Sequence, residues 1–317
     1  MTLAFPTPAD PLKIGTRGSP LALAQAHETR RRLGAAFDLP EASFEIVVIK
    51  TTGDDRALID ADRPLKEIGN KGLFTKEIEE ALLAGAIDMA VHSMKDMPVE
   101  QPAGLVLDCN LPREDVRDAF VSLRAKGLSD LPDGAVVGTS SLRRKSQLLH
   151  RRPDLRVVEF RGNVQTRLKK LGDGVAAATF LAMAGLKRLG MDDVPRQAIE
   201  VDEMLPAVAQ GAIGIERREA DERTAEMLAA IHDGETGDRL TAERSFLGAL
   251  DGSCETPIAG LAEVSGGRMR LRGEILKHDG SAAFAGERSG PVGDGAAMGR
   301  DLAGALLGQA GPNFFQS

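Results

Sequence analysis

The chain has no tryptophan and no tyrosine, and its 11 phenylalanines are the only aromatics among 317 residues. Sites that hold single-stranded nucleic acid stack bases on aromatic side chains, so this scarcity disfavours a nucleic-acid partner. Cysteine is just as rare. Cys109 and Cys254 are the only two and lie far apart in the sequence, which builds neither a disulfide framework nor a metal-ligand spacing and suits a reducing compartment. Long apolar runs are missing: the least polar stretch, Val175 to Leu186, falls short of the ~20 residues a membrane helix needs. The opening MTLAFPTPADPLK has no basic segment followed by an apolar one, so no secretory leader is expected. These absences point to a soluble, cytoplasmic protein with no membrane or nucleic-acid partner and no metal. Its length suits two or three domains.

What is present is an uneven charge. The net charge is -7, yet the 28 residues from Arg143 to Lys170 hold Arg143, Arg144, Lys145, Arg151, Arg152, Arg156, Arg161, Arg167, Lys169 and Lys170 against Asp154 and Glu159. That segment carries +8 and the rest of the chain -15. Such a cluster repels itself unless it faces solvent or an anion. Most of it is arginine, whose planar fork matches carboxylate and phosphate.

Strand and helix patterns alternate through most of the first 215 residues. Leu12–Thr16 reads as a strand, Ser19 and Pro20 as the cap and first position of a helix to about Ala36, and Phe44–Lys50 as a β-branched strand. Helix Leu73–Ala84 then leads into strand Ile87–His92, an alternation that implies a mostly parallel sheet. A second set begins near Ala119. It has a strand closing at Val137, a helix capped at Thr139-Ser140-Ser141, strand Leu155–Phe160, a helix capped by Asn163, and the apolar strand Val175–Leu181. Ala212–Glu216 reads as a late strand returning to the first sheet. Past Asp233 the pattern becomes a helix, short strands with Gly-rich turns and a last helix near Gly293–Leu307. The expected division is residues 1–111 with 212–229, residues 117–205, and residues 234–317: two α/β domains and a small C-terminal α+β domain.

Three places join a strand end, a capped helix start and an arginine: Thr16-Arg17-Gly18-Ser19, Thr139 to Arg144, and Arg161-Gly162-Asn163. Free N–H groups, the helix dipole and a guanidinium converge there on an anion. Any one of them alone reads better as ordinary capping with a surface arginine; three together favour a cleft for a polyanion. Lys95 and Asp96 follow the strand ending at His92, where Asp96 is either half of a turn ion pair or a proton-handling carboxylate. His92 reads as a packed strand-end residue. Cys254, in the turn-rich DGSCETP, is either an inert surface thiol or a site of covalent attachment, whereas Cys109 belongs to a core strand. The long polar stretch 51–72 is either a surface loop or a functional one.

Taken in order, RGSPLALAQA (17–26), PLKEIGNKGLFTKEIE (64–79), DMAVHSMKDMP (88–98), VGTSSLRRKSQL (137–148), RGNVQTRLKKL (161–171), LAMAGLKRLG (181–190), LPAVAQGAIGIE (205–216) and DGSCETPI (251–258) resemble the porphobilinogen deaminase (hydroxymethylbilane synthase) family. The resemblance implies two periplasmic-binding-protein-like α/β domains plus a third domain. It also implies a covalent dipyrromethane cofactor on a thioether at Cys254, and head-to-tail condensation of four porphobilinogen molecules with loss of ammonia, in a monomer. It assigns the catalytic carboxylate to Asp96, with Lys95 beside it. Cofactor contacts fall to Ser93, Ser141, Arg143, Arg144, Arg161, Arg167 and Arg188. Substrate contacts fall to Arg17, Ser19, Arg161, Arg167 and Arg188, and active-site loop positions to Lys71 and Phe74. Asn70 and Ser253 stand where the family commonly has glycine, which leaves the local turns open. On this reading Arg143, Arg144, Arg161 and Arg167 bind, and the other six basic residues of the cluster are solvated. The rival readings are a solute receptor, which leaves Asp96 and Cys254 idle, and a nucleic-acid binder.

Overall fold

The computed structural model describes residues 5–52, 75–252, 256–311 and 314–316. The expected positions Lys71, Phe74, Asn70, Ser253 and Cys254, with most of the 51–72 stretch, lie outside them. The chain separates into two compact units, one drawn from residues 5–52, 75–114 and 212–237, the other from 115–211 and 238–316.

In the first unit, β1 (Leu12–Arg17), β2 (Phe44–Ile49), β3 (Met89–Ser93), β4 (Leu105–Asn110) and β10 (Ile213–Arg218) form one sheet in the order β2-β1-β3-β10-β4. β1 pairs in parallel with β2 and β3, while β10 runs antiparallel to both β3 and β4. Helix α1 (Pro20–Phe37) follows the end of β1 and α2 (Lys76–Leu83) precedes β3, as the sequence pattern requires. The core is aliphatic, with Leu12, Ile14, Leu33, Met89, Ile213 and Ile215 packed around Phe44. Cys109 sits in that core, and burial pushes its thiol up to about 12, which makes it inert as a nucleophile.

The second unit repeats the plan. β5 (Asp118–Val121), β6 (Val136–Gly138), β7 (Arg156–Val158), β8 (Ala178–Ala182) and β9 (Arg196–Ala198) are ordered β7-β6-β8-β5-β9, with β5 the one reversed strand. Each reversed strand, β5 or β10, is the first that the chain lays down after leaving the other sheet. Alternate residues of β5 feed opposite faces: Ala119 and Val121 join a cluster with Phe160 and Leu186, and Phe120 joins one with Val137 and Phe180. Helices α3 (Leu142–Arg151), α4 (Val164–Gly172) and α5 (Met183–Arg188) link the strands. No internal sequence repeat announces this shared strand order.

Beyond α6 (Glu222–Ala229) and α7 (Gly234–Ala249), the antiparallel sheet β11 (Ile258–Ser265), β12 (Arg268–Leu276) and β13 (Ala283–Pro291) packs under α8 (Gly295–Ala310). Its strands are of 8 and 9 residues, longer than the Gly-rich pattern suggests. The reason is packing: Gly273 on β12 and Gly299 on α8 let Phe246, and the α7 backbone at Ala242, come close without a Cβ between.

Gly138 ends β6 where the chain turns toward α3, and an added Cβ would fall inside the Phe160 ring. Gly138→Ala is expected to destabilise the protein by about 1–3 kcal/mol, read as a lowered urea midpoint in chemical denaturation, with an unchanged midpoint excluding this packing account.

Candidate active site

In the first unit the carboxyl ends of β1 and β3 lie side by side, because the two strands pair in parallel. After β1 the Ser19 hydroxyl caps α1, accepting from the Ala22 N–H at 3.2 Å, and Pro20 takes the first helical turn, where no N–H is needed. The buried Thr16 hydroxyl donates to the Ala22 carbonyl at 3.2 Å and ties strand end to helix start. From α1, Gln25 reaches across to Ser93 at the end of β3: its Nε2–H donates to Oγ at 2.9 Å and the hydroxyl donates to Oε1 at 3.1 Å. A short 3₁₀ turn, Met94–Asp96, carries the chain onward. Arg17, Ser19, Gln25, His92, Ser93 and Asp96 line one cleft. Asp96 is exposed in it, and Lys95 is half-buried on the same turn. His92 is packed, as expected, and bonded: its Nε2 lies 3.0 Å from Oε2 of the fully buried Glu216 on β10.

In the second unit the end of β6 opens α3. Ser141 caps it by accepting from the Arg144 N–H at 3.4 Å, while the Ser140 hydroxyl accepts from the Phe160 N–H at 2.9 Å. Past β7, the buried Arg161 precedes Gly162, whose φ of 112° only glycine adopts freely, and Asn163 accepts from the Thr166 N–H at 2.9 Å to cap α4. Arg167 donates from Nε to the Gly162 carbonyl at 2.9 Å. Burial and the like charges of Arg144 and Arg161 push its guanidinium down to about 10. Arg188 closes α5 and donates to the Gly211 carbonyl at 2.9 Å.

Arg143 and Arg144 converge on a residue that sequence reasoning missed. Asp118, first in β5 and wholly buried, accepts from Arg143 Nη2 at 2.8 Å, from Arg144 Nη2 at 2.7 Å and Nε at 3.1 Å, and from Gln210 Nε2 at 3.0 Å. Arg143 also donates to the Leu205 carbonyl at 2.9 Å, and Arg144 to the Phe180 carbonyl at 2.9 Å. Gln147, one turn along α3, extends the network by donating to Glu274 of β12 at 2.5 Å. Nothing in the local sequence DAFV marks Asp118, because its partners lie 25 and 26 residues away along the chain. The basic cluster thus divides by burial. Arg143, Arg144 and Arg161 are buried; Arg167, Lys145, Arg152 and Lys170 are half-buried, and Arg151, Arg156 and Lys169 are exposed. Several of these are occupied locally, Arg152 by Asp154, Lys169 by Asp173, and Lys170 over the Phe160 ring.

Each unit thus presents capped strand ends with guanidiniums, and the first also an exposed carboxylate, a set that suits small carboxylate-bearing ligands. Comparison with known proteins narrows this. Residues 12–226 match the model of the porphobilinogen deaminase, dipyromethane cofactor binding domain, and residues 238–308 match the porphobilinogen deaminase C-terminal domain. The chain is 70% identical over 311 residues to porphobilinogen deaminase of Paracoccus denitrificans (strain Pd 1222), covering 98% of each. It is 54% identical over 312 residues to the chloroplastic porphobilinogen deaminase of Pisum sativum, covering 96% of this chain and 84% of that protein. Among solved structures, the periplasmic aliphatic sulphonate binding protein SsuA from Escherichia coli superposes with a TM-score of 0.40 at 15% identity over 75% of this chain and 68% of that one, too weak a likeness to add to the strand orders above. The chain belongs to the porphobilinogen deaminase family. It is a transferase of tetrapyrrole biosynthesis that joins four porphobilinogen molecules head to tail, with loss of ammonia, into hydroxymethylbilane, and its cofactor is dipyrromethane.

Burial alone would raise the Asp118 carboxyl, but the charges of Arg143 and Arg144 and the hydrogen bonds from Arg144 and Gln210 outweigh it and hold the carboxyl well below the ordinary 3.8. A carboxylate so depressed stabilises the fold fully above its unfolded value and loses that contribution as pH falls toward the folded one. The stability difference between the wild type and Asp118→Asn, followed by urea denaturation, is therefore expected to be constant at neutral pH and to shrink below about pH 4. A difference that does not narrow on acidification would contradict the ion-pair assignment.

Proposed function

We propose how the residues of this chain divide the work. Ser93, Ser141, Arg143, Arg144, Arg161, Arg167 and Arg188 hold the carboxylates of the dipyrromethane. The donor set fits such a group: one buried carboxylate, Asp118, faces two buried arginines, with Arg161 and Arg167 close enough for like charge to be felt. The Arg143 Nε–H is also buried with no hydrogen-bond partner among the described residues. Arg17 and Ser19, with Arg161, Arg167 and Arg188, take the carboxylates of incoming porphobilinogen. The N-terminal end of α1 and a guanidinium suit an anion of that kind. When bound, dipyrromethane supplies the pyrrole carbon to which the first substrate unit is joined.

Asp96 is the catalytic carboxylate, with Lys95 beside it. Loss of ammonia leaves the substrate carbon electron-poor, and a fixed carboxylate near pyrrole N–H groups stabilises positive charge and accepts protons. The exposure of Asp96 in a cleft with Arg17 and Ser19 supports this role. Cys254 carries the cofactor as a thioether, and Lys71 and Phe74 belong to an active-site loop. The protein works in the cytoplasm as a monomer with porphobilinogen as its small-molecule partner, without nucleic acid or membrane. Among the described residues no helix is long and apolar enough to cross a membrane.

Buried excess of arginine over carboxylate is the observation that carries this reading, and two measurements test its parts. The intact mass of protein from porphobilinogen-supplied cells is expected to exceed the chain mass by one dipyrromethane, and Cys254→Ser to lack the increment; active protein of unmodified mass would refute the attachment. Asp96→Ala is expected to slow ammonia release from porphobilinogen about a hundredfold or more while the circular dichroism stays that of the wild type. A near-normal rate would remove Asp96 from the mechanism.

A further inference from the structure

We infer that Asp118 is a positioning residue, a single buried carboxylate that sets the guanidiniums of Arg143 and Arg144 side by side so that their remaining N–H groups act together on the cofactor's carboxylates. This rests on the reading of those two arginines as cofactor ligands and goes further, because Asp118 itself is given no contact with the cofactor.

Three observations converge on it. Each carboxylate oxygen has its own arginine: Oδ2 accepts from Arg143, and Oδ1 from both Nε and Nη2 of Arg144. Such two-point contact fixes the plane of the Arg144 guanidinium as well as its distance. The carboxylate is itself held, since Gln210 donates to Oδ1 and to the Val116 carbonyl, and the Asp118 carbonyl accepts from the Ile199 N–H at 2.8 Å. Finally, the pair keeps spare donors. Among the described residues only Asp118 bonds both guanidiniums, with the buried Glu274 acting on Arg143 through space. The Arg143 Nε–H and one N–H each of Arg143 Nη2, Arg144 Nη1 and Arg144 Nη2 remain, while Arg143 Nη1 is filled by the Leu205 carbonyl and Gln147. A second carboxylate hydrogen-bonded to the pair would have taken those donors. One alone orients the arginines and leaves them attractive to an anion.

Asparagine has nearly the same shape as aspartate but a single acceptor oxygen, and its NH₂ would point donors at a guanidinium. Asp118→Asn therefore removes the positioning without opening a cavity. Apo-protein can be made without porphobilinogen, checked for folding by circular dichroism, and followed by intact mass as it gains dipyrromethane from added porphobilinogen. Loading of folded Asp118→Asn is expected to slow about tenfold relative to the wild type. In the loaded enzyme kcat should fall with KM within twofold, because Arg17 and Ser19 are untouched. A structural carboxylate would lower the melting temperature only, so folded Asp118→Asn that loads less than threefold slower overturns the inference. Arg144→Gln, run in parallel, separates the two levels: if it too loads at the wild-type rate, the arginines are not cofactor ligands and the underlying reading fails. Should Asp118→Asn not fold, Gln210→Met removes one of the hydrogen bonds to the carboxylate without altering charge. Slowed loading in Gln210→Met supports the inference, and unchanged loading overturns it.

Discussion

The contact on which most of the second unit depends is the buried ion triad of Asp118, Arg143 and Arg144. Withdrawing three charges from water is costly, and attraction between them returns that cost only when geometry and hydrogen bonding are nearly complete. Here they are. Asp118 accepts four hydrogen bonds, and the arginines satisfy further donors on the Leu205 and Phe180 carbonyls. Three pieces of chain are fastened by it: the reversed strand β5, the first turn of α3, and the 205–211 segment that leads to β10. Through Gln147 and Glu274 the same network reaches the three-stranded sheet. A network of this kind is sensitive to every member, because removing one leaves another charge buried and unpaired.

On the proposed reading, electrostatic excess is what suits this region to bind an anion. A fully balanced cluster would be a structural ornament, whereas a cluster with more arginine than carboxylate retains a field for a ligand to answer. The first unit reaches a similar end by other means. Its strand ends bear Arg17, Ser19 and Asp96, and its buried pair, His92 with Glu216, ties β3 to the reversed β10 beneath them. In both units the reversed strand brings the buried carboxylate, Asp118 on β5 and Glu216 on β10. In each, a carboxylate on the reversed strand meets a basic residue placed by the local fold.

Much of the architecture was legible in the residues. Ser19, Ser141 and Asn163 cap helices where their positions after apolar runs demanded it, and β-branched runs such as FEIVVI became strands. Burial set Arg143, Arg144 and Arg161 apart from the rest of the basic cluster, but left Arg167 half-buried like Lys145, Arg152 and Lys170. Boundaries moved by a few residues, as when the strand expected at Val175–Leu181 became Ala178–Ala182, because pairing with β5 fixes where a strand begins and ends. What stayed hidden were partners far apart in sequence: Gln25 with Ser93, His92 with Glu216, and Asp118 with both arginines. Polar residues in strands carry no mark of what they will face.

The sequence by itself determined the alternation of strands and helices, the capped helix starts, the charge imbalance, and the long ordered motifs that identify the family. Those properties are local, written in spacing, propensity and side-chain chemistry within a few turns of chain. Only the tertiary structure decided that one sheet plan is used twice, and that a single aspartate stands between two of the arginines. It also decided that the first plan takes its reversed strand β10 from a remote segment, while the second uses β5, laid down just before β6. The reason is physical: hydrogen-bond geometry and the cost of burying charge depend on which groups meet across the fold, and sequence separation says little about that.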